Sequence, residues 1–473
     1  MRWGRKSGSR NASSDSRRQP KDEATGLLTY AAFLHECSDA LAAWTAHGMP
    51  AEPAVLLVDL EGVGEAVESE AHAAADELMS QVATRIIREV GSLGVLARMS
   101  DRELGVLFPD LSGPAVALDL AYRIITALSS PMALSSERRV QLTASCGLVT
   151  RDSVPADASA PDLLRGAGLA VREARRSGRN RIEVCTPEMI AVADETLAIG
   201  KDLRQALQHN GLGVCYQPVV DLTSGTILGF EALVRWSHPV HGPVSPARFV
   251  PVAEQFGLIS ELGRMVLSTA SAQVQKWSTT FDLPLDVHVN VSGVDLADDS
   301  FVSMVAECLT TSGLPAAQLV LEVTERVVEQ HLDTARARFE GLHALGVRVA
   351  LDAFGTGRSA LTYLQSLAVD ILKVDRFYLD SIDAGNTGDA RADDVLRGVI
   401  GLGQALGMTV YGEGIEDEEQ RLRLLRNGCL IGQGYLFARP LPTEDAFALL
   451  RTQATPLTAL SRRLAAADPA TTP

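Results

Sequence analysis

Hydrophobic and polar positions alternate in two different rhythms along this chain. In the second half, short apolar runs are separated by longer stretches with helical spacing, and a polar residue sits at the end of each run. Asn290 closes VHVN, Glu322 closes LVLE, Asp352 closes VRVALD and Lys373 closes ILK; Glu413 follows MTVYG, and Gln433 follows a short run at IGQ. Apolar runs of this length between helix-like stretches read as buried parallel strands. The repeat extends from about Leu203 to Leu450, roughly 250 residues, the usual extent of a (β/α)8, TIM-like barrel. Acid, amide and amine groups at successive strand ends describe the active face of such a barrel. Carboxylates converging there repel one another unless a divalent cation sits among them. The pattern predicts metal-dependent chemistry on an anionic substrate.

The first half reads differently. A helix is predicted over 25–48, with Leu27, Leu28, Phe33, Leu34, Cys37 and Leu41 on one side. A buried strand follows at Ala54–Leu60, then a helix over about 65–90. Val95–Arg98 and Leu104–Phe108 flank a polar tetrapeptide and predict a hairpin. Further on come a helix over 115–128, a strand over 140–149 and a helix over 162–176. Mixed order of this kind predicts an α+β domain over 25–187. A linker helix is expected over 188–202 and the barrel domain, of α/β class, over 203–452. Residues 1–24 and 453–473 are expected to be a disordered basic tail and a loose terminal tail.

The chain has 473 residues, 46% of them hydrophobic and only 5% aromatic, so aliphatic packing must dominate its cores. A net charge of −16 argues against nucleic-acid binding. An anionic ligand then needs a local device, a metal or a few arginines. Six scattered cysteines form no CxxC or Cys/His cluster, which argues against a zinc framework and suits a cytoplasmic location. No apolar run approaches the ~20 residues of a transmembrane segment.

Several segments of the barrel region, in order, resemble the EAL family of cyclic-di-GMP phosphodiesterases: YQPVVDL (216–222), EALVRW (231–236), PARFVPVAEQFGLI (246–259), VNVS (289–292), LEVTE (321–325), DAFGTG (352–357), LKVDR (372–376), GEGIE (412–416) and QGYLFARPLP (433–442). The resemblance implies that Glu231, Asn290, Glu322 and Asp352 bind a first Mg²⁺ or Mn²⁺, with Ca²⁺ as an inhibitory substitute. Such ions prefer hard oxygen donors of this kind. Asp352 would bridge to a second metal, with Glu413 on that side. The resemblance makes Lys373 the group that orients or deprotonates the attacking water, Gln433 a further orienting side chain, and Glu325 the residue that holds the loop after Asp352. Arg235 would grip a phosphate through its planar fork of donors. Gln217 and Pro218 would meet a guanine, and Leu233 and Asp375 would also face the ligand. For Asp375, Arg376 and Glu416 a structural role stays equally open, and Trp236 reads as barrel packing. The resemblance also implies cyclic-di-GMP as ligand and a homodimer; the downstream protein partner stays unknown.

One departure bears on mechanism. The family's active members carry two adjacent aspartates where this chain reads Asp352-Ala353. A methyl group cannot coordinate, so the second metal site loses a ligand. Arg358 and Ala360 also depart from the family pattern, as does Leu430. The expectation is a cyclic-di-GMP binding protein with weak or lost hydrolysis to pGpG. The alternatives are an active phosphodiesterase and a non-catalytic interaction scaffold. The N-terminal half resembles a GGDEF (diguanylate cyclase) domain with a broken signature: Ala97-Arg98-Met99-Ser100-Asp101-Arg102-Glu103-Leu104 lacks both glycines, and Arg102 replaces an acid. Cyclase activity is not expected. Asp59 and Glu61 are left as a weak cation site, with Glu103 as a further surviving ligand, and GTP binding there stays open as a regulatory signal.

Overall fold

The structure is a computed structural model and describes residues 20–47, 52–63, 72–134, 139–155, 157–354, 367–380 and 389–454. Two compact units make up the chain, Met1–Leu197 and Ala198–Pro473. The helix Pro187–Gln208 runs across the division, so it extends beyond the expected linker.

In the first unit, a six-stranded sheet runs in the order Leu28–Thr29, Val95–Arg98, Glu103–Leu111, Glu52–Glu61, Thr143–Thr150, Ile182–Val184. The run at Glu52–Glu61 is buried on both faces, as its continuous apolar character requires. Ala54, Leu56, Val58 and Leu60 pack with residues of helices His72–Val90 and Pro114–Leu128. Val55 and Leu57 pack with those of helices Tyr30–His47 and Ala160–Arg176.

Two expectations shift. The first helix starts at Tyr30, because Asp22 captures Thr25 in a turn, Gly26 adopts φ 70°, and Leu28–Thr29 pairs with Ala97–Arg98. The strand expected over 140–149 is divided. Arg139–Val140 joins Met132–Ala133 in a separate hairpin, and only Thr143–Thr150 enters the main sheet. The start of the helix expected over 65–90 lies outside the described residues.

In the second unit, eight strands close into a barrel: Leu212–Asp221, Ile227–His238, Asp286–Asn290, Leu319–Thr324, Arg348–Phe354, Ile371–Val374, Thr409–Gly412 and Ile431–Gly432. The first strand is antiparallel to both its neighbours, while the others run parallel. The expected all-parallel reading therefore fails at this strand. A five-residue link from Leu222 to Thr226 joins it to the second strand, which is short for a crossover and suits a hairpin. Gln453 clamps that hairpin, accepting from Ile227 N and donating to Gly225 O.

Strand alternation sorts the barrel side chains. Val219, Val320, Ala350, Ile371, Tyr411 and Ile431 form an apolar cluster inside the barrel. Phe230, Val287, Leu321, Val349, Leu372 and Val410 belong to the large core shared with the surrounding helices. Trp277, on helix Ile259–Phe281, packs against Tyr216 at 4.8 Å and Phe230 at 5.1 Å between ring centroids. Replacing Trp277 by Ala should cost about 3–5 kcal/mol through lost burial and an unfilled cavity, read as a lower urea midpoint for the barrel.

Candidate functional site

A polar layer sits two residues beyond the apolar interior cluster. Gln217 is two residues from Val219, Glu322 from Val320, Asp352 from Ala350, Lys373 from Ile371, Glu413 from Tyr411 and Gln433 from Ile431. A period of two keeps both members of each pair on one strand face. The polar groups are therefore delivered toward the mouth by the same pleat that seals the floor.

Lys373 is 1% exposed and centres this layer. Its Nζ lies 2.6 Å from Glu322 Oε1, 2.5 Å from Glu413 Oε1 and 3.8 Å from Glu231 Oε2. Burial works against the ammonium, but Glu231, Glu322 and Glu413 outweigh it and hold Lys373 well above the usual lysine range. Burial pushes the Glu413 carboxyl well above its ordinary value and raises Glu231 and Glu322 as well, with Lys373 opposing all three shifts. One ammonium against several carboxylates leaves negative charge uncompensated in a dry site.

The amides tie the ring together. Glu231 accepts from Asn290 Nδ2 at 2.9 Å and from Gln433 Nε2 at 2.5 Å, and Gln433 also donates to Glu413 at 3.3 Å. Gly434 fixes the chain beside Gln433, since a Cβ there would run into the backbone of Ile415. Among the described residues no acidic, imidazole or thiol side chains form a ready-made cage of three or more. The donor chemistry nonetheless suits a hard divalent cation. Glu322 Oε2 and Gln433 Oε1 are buried without hydrogen-bond partners, oxygens that such an ion would satisfy.

The fifth strand is irregular here. Leu351 pairs with Leu372 and Phe354 with Val374, so Asp352 and Ala353 together stand opposite Lys373 as a β-bulge. The Ala353 side chain, Arg358 and Ala360 lie outside the described residues. Beside Asn290 opens a cleft of about 330 Å³, walled by Leu233, Arg235, Val250, Ile259, Leu262 and Val291 among others. Arg235 is half-buried there and donates to the Val234 carbonyl at 2.8 Å.

Other expected residues are placed less directly. Gln217 is buried and donates to the Ala438 carbonyl at 3.2 Å. Pro218 pairs with Phe230 in the register, and alternation puts it on the strand face opposite Gln217. Asp375 accepts from Phe377 N at 2.7 Å, a local cap. Glu325 is buried at the start of helix Glu325–Gln330, while the loop it was expected to hold lies outside the described residues. Trp236 packs on Phe249 with ring centroids 5.5 Å apart, as packing predicts. His288 was not foreseen: fully buried, its Nδ1 lies 2.9 Å from Glu322 Oε1. The signal was its place two residues before Asn290, on the same strand face.

Both halves of the chain match known domain families. The EAL domain model matches residues 200–440. The chain belongs to the EAL-domain family. The diguanylate cyclase, GGDEF domain model matches residues 20–181 ahead of the EAL part. An uncharacterised protein of Mycobacterium tuberculosis is 34% identical over 451 residues, covering 95% of this chain and 70% of that protein. The bifunctional diguanylate cyclase/cyclic di-GMP phosphodiesterase MucR of Pseudomonas aeruginosa is 35% identical over 396 residues, 84% of this chain and 56% of MucR. The chain thus spans little more than half the length of that relative. A solved structure of the MucR phosphodiesterase in complex with c-di-GMP superposes with a TM-score of 0.50 at 36% identity, covering 53% of this chain and 99% of that one.

In the GGDEF part, the expected cation site is already filled by protein. Asp59 is buried, with Oδ1 3.4 Å from Arg102 Nε and Oδ2 paired to Arg175. Glu61 accepts from Ser145 Oγ at 3.0 Å and Thr143 Oγ1 at 3.2 Å. The weak cation site expected at Asp59 and Glu61 does not fit this arrangement, because guanidinium groups already neutralise the buried acid. Burial also pushes Glu103 up, with Asp59 adding to the shift, which disfavours the charged ligand expected there. No helix among the described residues is long and apolar enough to cross a membrane.

At the EAL mouth, replacing Lys373 by Met strands Glu322 and Glu413 without their cation. The cost should be about 3–5 kcal/mol in chemical denaturation at neutral pH. Their raised pKa values set the sign of the pH dependence. The deficit should narrow on acidification, because protonated carboxyls need no countercharge.

Proposed function

We propose that the barrel is a cytoplasmic cyclic-di-GMP receptor whose phosphodiesterase step is weak or lost. The observation that carries this reading is the fifth-strand bulge. The polar layer around Lys373 is complete, yet the position beside Asp352 holds Ala353. Glu231, Asn290, Glu322 and Asp352 would hold one Mg²⁺ or Mn²⁺ ion. When bound, the ion supplies charge that neutralises phosphate and lowers the pKa of water. A second ion would lack the carboxylate that Ala353 replaces, leaving Asp352 and Glu413 alone on that side.

The protein's own groups then bind better than they cleave. Arg235 presents a guanidinium to a phosphate at the edge of the cleft, whose apolar walls take a flat base. Lys373 keeps its proton among the carboxylates and holds their geometry. Gln433 and Asn290 fix Glu231 from both sides. Hydrolysis requires water to attack phosphorus while the P–O3′ bond breaks, giving linear pGpG. Weaker stabilisation of the charge that develops there raises the barrier. A ligand-free scaffold would have no need of this buried charge, which costs desolvation energy to maintain.

Calorimetry with cyclic-di-GMP in Ca²⁺ should show saturable binding to the wild-type chain. Arg235→Ala should weaken that binding about 10- to 100-fold, the value of a charge-assisted hydrogen-bond pair. Product chromatography in Mg²⁺ or Mn²⁺ should show little pGpG. Ala353→Asp should raise turnover by about 10² to 10⁴. Wild-type turnover equal to that of the Ala353→Asp variant would defeat the reading, and no heat of binding would favour the scaffold.

A further inference from the structure

We propose that His288 is a positioning residue for Glu322, holding one carboxylate oxygen so that the other is left for a cation. This rests on the reading of the barrel mouth as a cation site. His288 is fully buried and lies two residues before Asn290 on the same strand face. On the strands that carry Glu322, Lys373, Glu413 and Gln433, the residue two places before is Val320, Ile371, Tyr411 or Ile431, a member of the apolar cluster. An imidazole at this depth needs a reason, since burying a polar ring without full hydrogen bonding is unfavourable.

Its two nitrogens are used unequally. Nδ1 lies 2.9 Å from Glu322 Oε1, the oxygen that also meets Lys373 Nζ at 2.6 Å. Nε2 has no hydrogen-bond partner, and the ring lies 5.6 Å from that of Tyr411. With Glu322 ionised beside Lys373, its oxygen only accepts, so Nδ1 carries the hydrogen and Nε2 is the bare nitrogen. Glu322 Oε1 thus takes two nitrogen donors, while Oε2 takes none and the Glu231 carboxyl lies within hydrogen-bonding reach of the group. Without His288, the carboxylate is free to rotate and offer both oxygens to Lys373. With it, rotation breaks a hydrogen bond between two fully buried side chains. Outer donors that orient ligands in this way are typically worth about 10- to 100-fold in metal affinity.

The test measures Mn²⁺ binding to the full chain by loss of the free-ion electron paramagnetic resonance signal, without nucleotide or turnover. His288→Phe keeps the bulk and removes the donor, and affinity should fall about 10- to 100-fold. His288→Asn places an amide N–H close to the position of ring Nδ1 and should restore most of that loss. Long-range proton–nitrogen spectra of the cation-free wild type should show the Nδ1–H tautomer. Wild-type affinity in His288→Phe, equal losses in both variants, or an Nε2–H tautomer overturns the positioning role alone. A wild-type chain that binds no Mn²⁺ removes the proposed cation site and this role with it. If His288→Phe does not fold, the asparagine variant and the tautomer still decide the question.

Discussion

A single ammonium inside a closed barrel sets the terms for everything at its mouth. Lys373 is sealed from water and attracts Glu322, Glu413 and Glu231 at once. It cannot neutralise them all, and the carboxyls respond by resisting ionisation. A site in this condition is poised to accept positive charge. The same shortage of positive charge keeps the amides of Asn290 and Gln433 in place, because Glu231 needs their donors. Stability and function therefore draw on one electrostatic imbalance, and changes at any of these residues will be felt by the others.

Much of this was legible in the sequence because a barrel strand writes its two faces with a strict period. Apolar runs ending on Glu322, Asp352 and Lys373 reported both the interior floor and the polar layer above it. The direction of the first strand was harder to read, since YQPVVDL looks apolar whichever way it runs. Its one trace in the chain is the link at Leu222–Thr226, too short for a crossover. Motif adjacency likewise says nothing about strand face, and Pro218 alternates with Gln217. His288 was overlooked because a histidine inside a run such as VHVN resembles an exception to the pattern. The bulge at Asp352-Ala353 could not be seen at all, as it depends on the partner strand's register.

The N-terminal unit shows the reverse substitution of charge. A resemblance to a cyclase leads one to expect acids awaiting a cation. Arg102 and Arg175 instead bring the positive charge in covalently attached form. The hairpin closes without glycine, with Met99 N and Ser100 N both donating to the Glu103 carbonyl. The fold of this unit has thus been kept while its acid cluster has become an internal ion-pair network.

The antiparallel first strand has a mechanical implication. Because that strand descends from rim to floor, the helix Pro187–Gln208 that feeds it ends at the rim. Leu203 of this helix packs in one cluster with Trp236 and Phe249, and Asp202 lies 3.2 Å from His238. The end of this helix is therefore packed against the strand residue next to Arg235, at the rim and not at the floor of the barrel. The segment that leads into the barrel is thus anchored at the mouth, beside the same strand that carries Arg235.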